Sequence, residues 1–71
     1  MITKEDLKPG YVILISDERG DSLFEVMNED DSPYMAKYLE EGFVAARCFF
    51  GSRIGNNYWL DFKYITEVFK R

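Results

Sequence analysis

The chain has 71 residues, thirteen acids against nine bases, a net charge of −4 and 46% hydrophobic residues. That length holds one domain, residues 1–71, in which folding buries only about 60% of the surface the unfolded chain exposes. The apolar fraction excludes a disordered tail, no run approaches the roughly 20 apolar residues of a membrane helix, and the acidic balance opposes phosphate binding over the molecule as a whole.

Residues 8–17, "KPGYVILISD", open with a Pro9-Gly10 turn. A strand over residues 11–17 follows, rich in β-branched side chains. Residues 1–9 are polar and the apolar run 11–15 is short, so no secretory leader is expected. "ERGDS" reads as a hairpin loop around Arg19-Gly20, and residues 23–27 return as a second strand. In "NEDDSPYMAKYLEEG", Ser32 is placed to cap a helix, with Pro33 at its first position and Gly42 as its stop. The expected helix covers residues 33–41. Met35, Tyr38 and Leu39 share one face, and packing has to hold so short a helix.

"FVAARCFF", residues 43–50, is the third strand. Val44, Ala46, Cys48 and Phe50 are expected on one face, with Phe43, Ala45, Arg47 and Phe49 on the other. Both faces carry apolar groups, so the helix is expected to cover part of the second one. The turn-rich "GSRIGNN" leads to "YWLDFKYITEVFK". A single strand of twelve residues would be about twice the usual length. Asp61 suits a turn, so the reading is a break there, a 3₁₀ turn over residues 61–64 and a last strand over 65–69. Leu60, Phe62, Ile65 and Val68 then belong to the core. Tyr58, Trp59 and Tyr64 are left at the surface.

The fold class expected is mainly β, a small barrel of about five antiparallel strands with one short helix between the second and third. Its two ends carry a resemblance. "ITKEDLKPGYVILI" and "YWLDFKYITEVFK" resemble the opening and closing segments of small SH3-like proteins common in bacteriophages and prophages of Gram-positive bacteria. About a third of the chain is covered, and the "SPYMAKYLEEG" segment departs from the pattern. The resemblance implies an SH3-like barrel and a phage origin, and no particular activity.

Catalytic and metal chemistry finds little to work with. The chain has no histidine, so Ser-His-Asp and Cys-His nucleophiles and imidazole metal sites are excluded. The acidic loops lack the spacing of a calcium site, and "GSRIGNN" lacks the Gly-Lys-Ser/Thr ending of a phosphate loop. Asp30-Asp31 reads as a solvated pair. Neither enzyme activity nor a cofactor is expected. Cys48, the only cysteine, forms no disulfide within the chain and reads as an inert core thiol; a reducing, cytoplasmic setting is expected, that of the host if the chain is phage-encoded.

Charge is divided unevenly. Residues 1–42 hold eleven acids and four bases, residues 43–71 two acids and five bases. The first expectation is therefore a protein-binding module, a modulator or inhibitor of a bacterial host protein. Its candidate surface combines Tyr34, Tyr38, Tyr58 and Trp59 with Asp17, Glu18, Asp21, Glu29, Asp30 and Asp31. Tyrosine and tryptophan serve as anchors, the acids attract a basic partner, and mimicry of nucleic-acid phosphates is a sub-case. The alternative is single-stranded DNA or RNA binding by Arg47, Arg53, Lys63, Lys70 and Arg71 beside Tyr58 and Trp59. A third reading is a homodimer formed through Phe43 and Phe49, if the helix leaves them bare.

Overall fold

A computed structural model describes residues 2–71. Five strands form one antiparallel sheet: β1 (Val12–Asp17), β2 (Gly20–Val26), β3 (Phe43–Phe50), β4 (Asn57–Asp61) and β5 (Glu67–Phe69), in the order β4-β3-β2-β1-β5. One helix, α1 (Met35–Glu41), lies between β2 and β3, and 3₁₀ turns occupy Lys4–Asp6, Glu29–Asp31 and Phe62–Tyr64. The chain is thus mainly β, with the short helix where the sequence placed it.

The sheet has to curl. Laid flat, four interstrand gaps would put β4 and β5 about 19 Å apart. The link from Asp61 to Glu67 is mostly 3₁₀, at about 2 Å per residue, and falls well short of that. Bending brings the two edges together around the apolar side chains of the inner face, an open arrangement consistent with an SH3-like barrel. Ile13, Phe24, Val44 and Cys48 are almost completely enclosed at its centre.

Asp61 divides the last aromatic segment, as its residue type suggested. Its side chain accepts the Lys63 N–H at 3.0 Å, which starts the 3₁₀ turn at Phe62 and ends β4. Leu60 is buried, and Phe62, Ile65 and Val68 pack against the core. The final strand is shorter than expected. Ile65 closes the 3₁₀ turn through its N–H to the Phe62 carbonyl, and Thr66 turns to β1: its N–H donates to the Leu14 carbonyl and its Oγ1 accepts the Ser16 N–H.

Two other expectations are corrected. Ser32 does not cap the helix. It ends the Glu29–Asp31 turn, where its N–H reaches the Glu29 carbonyl, and it is buried; α1 begins at Met35 after Tyr34, with no side-chain cap. Gly42 does stop α1, in a left-handed conformation at φ 94°. Phe50 does not share the inner face of Val44, Ala46 and Cys48. Leu23 pairs with Phe50 while Phe24 pairs with Cys48, so β3 carries one extra residue there. The bulge turns Phe50 outward, 56% exposed.

The helix covers part of the outer face of β3. Met35 is buried, and its sulfur accepts the Ala45 N–H at 3.4 Å where β2 has left the sheet; Ala45 is buried beneath it. Phe43 is half-buried, and Phe49, beyond the helix, remains exposed. Among the described residues no helix is long and apolar enough to cross a membrane.

Side-chain clasps hold the ends. Asp6 accepts the Thr3 N–H at 2.9 Å and pairs with Lys70 at 3.2 Å; Asp17 accepts the Arg19 N–H at 2.9 Å and pairs with Arg53 at 3.3 Å. These backbone bonds, and the cations after them, hold both carboxyls below the ordinary value of 3.8. A folded-state value below the unfolded one means that the ionised form favours folding. Its contribution is complete above pH 3.8 and disappears as the pH falls through the folded values. The urea midpoint is therefore expected to drop on acidification below pH 3.8, and less steeply in Asp6→Asn/Asp17→Asn. Parallel curves for the two proteins would contradict this.

Candidate functional site

Trp59 lies at the middle of β4, opposite Ala45 on the outer face of the sheet. A tryptophan there would stand free, but Tyr38 comes down from α1 beside it. The ring centroids are 4.4 Å apart and the planes are inclined at 49°. Packed against a neighbour, Trp59 is still 43% exposed, so it forms a supported aromatic surface. Lys37 Nζ lies over the Tyr38 ring, 5.8 Å from its centroid.

Two depressions meet at Trp59. A shallow one of about 190 Å³ is bounded by Asp31, Ser32, Asn57 and Trp59. A larger cleft of about 580 Å³ follows the seam between the open edge of β4 and the end of β1. Ile15, Phe24, Tyr58 and Leu60 give it an apolar floor, and Asp17 with Arg53, Asp61 and Tyr64 stand around it. That volume falls within the range of ligand-binding clefts.

The sequence candidates divide among several places. Tyr38, Trp59 and Asp31 come together. Asp17, paired with Arg53, stands instead at the larger cleft, which it shares with Trp59 but not with Asp31. Glu18 and Asp21 stay on the exposed hairpin, where the Ser16 hydroxyl donates to Asp21 at 2.7 Å, and they line neither depression. Glu29 faces a separate hollow shared with Lys4 and Lys8, and Asp30 is exposed on the same 3₁₀ turn. Tyr34 is 65% exposed at the start of α1. The acids named in sequence therefore form no single patch.

Tyr58 requires a correction. It is half-buried on the inner face, its ring edge-to-face with Phe24 at 5.9 Å, because strand alternation places it with Leu60. Sequence reading also missed Asn57, Ile15 and the cleft itself. The alternation of Tyr58 and Leu60 against Trp59 and Asp61 was the available signal, but nothing local says that β1 and β4 stop short of pairing. The basic residues of the second half are engaged: Arg53 with Asp17, Lys63 with Asp61 at 3.9 Å, Lys70 with Asp6, Arg71 with Glu25 at 3.9 Å, and Arg47 with the Asn57 side chain at 3.0 Å.

Cys48 is buried, and its thiol donates to the Phe50 carbonyl at 3.3 Å. Among the described residues no group of three or more histidine, cysteine, aspartate or glutamate side chains is placed to hold a metal. Compared with known protein families, curated proteins and solved structures, the chain matches none.

Proposed function

We propose that the protein is a non-catalytic protein-binding module that offers Trp59 and Tyr38, flanked by Asp31, to a basic surface of its partner. The observation that carries this reading is the half-exposed Trp59 held in place by Tyr38. A large aromatic surface already ordered by a neighbour loses little side-chain entropy on binding, and its loss typically removes much of an interface's affinity. The resemblance of the two ends to SH3-like phage proteins supports a phage-encoded modulator of a bacterial protein, acting in the host cytoplasm.

The nucleic-acid reading fares worse, since each candidate cation already lies against an acid or, for Arg47, an asparagine. Such surface pairs are weak individually, but they leave no uncompensated basic stripe to follow a phosphate backbone. Exposed Phe49 and Phe50 favour a second reading, self-association; a monomer by sedimentation at high concentration would dismiss it.

The immobilised protein is expected to capture a specific partner from a bacterial lysate, and Tyr38→Ala/Trp59→Ala to lose it. Asp31→Lys, a change at an exposed turn, is expected to weaken capture without disturbing the fold. Equal recovery by all three proteins would reject the site, and recovery of no specific partner would reject the class.

A further inference from the structure

An edge strand presents unpaired N–H and C=O groups that accept any extended chain able to reach them. The two edges of this sheet differ. β5 has three residues and is followed by Lys70 and Arg71, a short edge guarded by charge. β4 has five residues and contains neither lysine nor proline.

The bonds at the two ends of β4 set its phase. The Cys48 N–H donates to the Asn56 carbonyl at 3.0 Å, and the Phe62 N–H to the Gly42 carbonyl at 2.9 Å. Alternation between these points, in the register Ala46↔Tyr58 and Val44↔Leu60, commits the backbone of Tyr58 and Leu60 to β3. The N–H groups of Asn57, Trp59 and Asp61, and the carbonyls of Asn57 and Trp59, then point out of the sheet. Among the described residues no turn, loop or side-chain hydrogen bond takes them. Trp59 and Asp61 border the 580 Å³ cleft and Asn57 the shallower depression beside it. β1 does not compete for them, because its own outward Ser16 N–H is bound to Thr66.

We infer that β4 takes an extended segment of the partner as a sixth strand, and that this segment alternates apolar with basic residues. The inference rests on reading the protein as a protein-binding module and identifies what that site would hold. An added strand points its side chains alternately to the two faces of the sheet. On the inner side they meet Ile15, Phe24 and Leu60 along the cleft floor. On the outer side they meet Trp59 between Asp31 and Asp61. Asp31 forms no ion pair among the described residues, although Arg47, held by Asn57, borders a hollow next to it, and Asp61 has only Lys63 at 3.9 Å. Charge complementarity therefore selects lysine or arginine at the outward positions, where the indole face also attracts a cation.

The test uses the intact isotope-labelled chain and an acetylated hexapeptide alternating valine with lysine. Saturating peptide is expected to slow hydrogen exchange at the Asn57 and Trp59 amides by about tenfold or more, with Tyr58 and Leu60 unchanged. Two further peptides carry N-methyl groups, one on every valine and the other on every lysine. Strand pairing uses only alternate amides of the ligand, so one methylated peptide is expected to bind about tenfold or more weakly while the other keeps its affinity. Loss with both, loss with neither, no binding of the parent peptide, or no slowing at Asn57 and Trp59 overturns strand addition. A dimer whose Asn57 and Trp59 amides are protected without peptide overturns the partner in favour of a second copy. If capture still depends on Tyr38 and Trp59 while the methylated peptides behave alike, only the added strand is wrong. If capture ignores those two residues, the binding surface itself is wrong.

Discussion

Phe24→Ala is expected to leave the chain largely unfolded at room temperature. Phe24 has no exposed surface, sits at the middle of the inner face and meets Tyr58 edge-to-face. Removing a buried phenylalanine costs about 3–5 kcal/mol, since the cavity left behind closes only in part. A domain of this size has roughly 4–11 kcal/mol of stability, and one without disulfides or metal lies toward the lower end. Phe50→Ala is the contrast. The bulge has turned that ring outward, so its loss is expected to cost about 1 kcal/mol or less. Urea unfolding followed by far-ultraviolet circular dichroism compares the two. Similar midpoints for both variants would mean that the bulge does not separate the rings as described.

Gly51→Ala is expected to be the most damaging of the glycine substitutions. Gly51 stands at φ 109°, where a Cβ costs about 1–2 kcal/mol by itself. It also lies against β2: the added carbon would be 2.7 Å from the Asp21 carbonyl and 3.0 Å from the Ser22 Cα. Backbone cannot yield as a flexible side chain does. Gly55 supplies the control, with φ 92° and nothing within 4 Å of the same position. Gly55→Ala therefore measures the conformational cost alone, and Gly51→Ala is expected to exceed it by about 1–3 kcal/mol, the usual cost of overpacking. Equal denaturation midpoints would refute the close approach. Gly51 also begins the loop that brings Arg53 to Asp17 at the end of the cleft, so Gly51→Ala is expected to disturb that pair as well.

Both results turn on the same region. The bulge at Leu23 and Phe24, the approach of Gly51 to β2 and the Asp17–Arg53 pair together form the hairpin end of the cleft. Disturbance there is expected to reach the binding surface through the cleft wall, while Trp59 and Tyr38 keep their tilted contact at its other side.

The elements were legible where one local cause decides them. A β-branched run marks β1 and an apolar run marks β3, Gly42 stops α1 in a left-handed conformation that favours a residue without a side chain, and Asp61 ends β4 because its carboxylate takes the Lys63 N–H. Two residues could be paired in part from sequence: Tyr38 and Trp59 were both named as surface rings, but nothing in the chain order said that they touch. Ser32 was misread because its preference for a helix cap competes with closing the turn before it, and only the path of the chain from β2 to α1 decides between them. Phe50 was misread because one extra residue on β3 reverses the side to which its ring points.

By itself, then, the sequence determined the β-rich class, the order of the elements, the break at Asp61 and the absence of histidine chemistry. Each follows from the type of a residue and its near neighbours. Tertiary structure alone decided that Tyr58 faces inward, that Asp31 rather than Glu18 or Asp21 stands beside Trp59, and that the outward groups of β4 face a cleft. These depend on the register between strands distant in sequence, and a shift of one residue in that register exchanges the two faces of a strand.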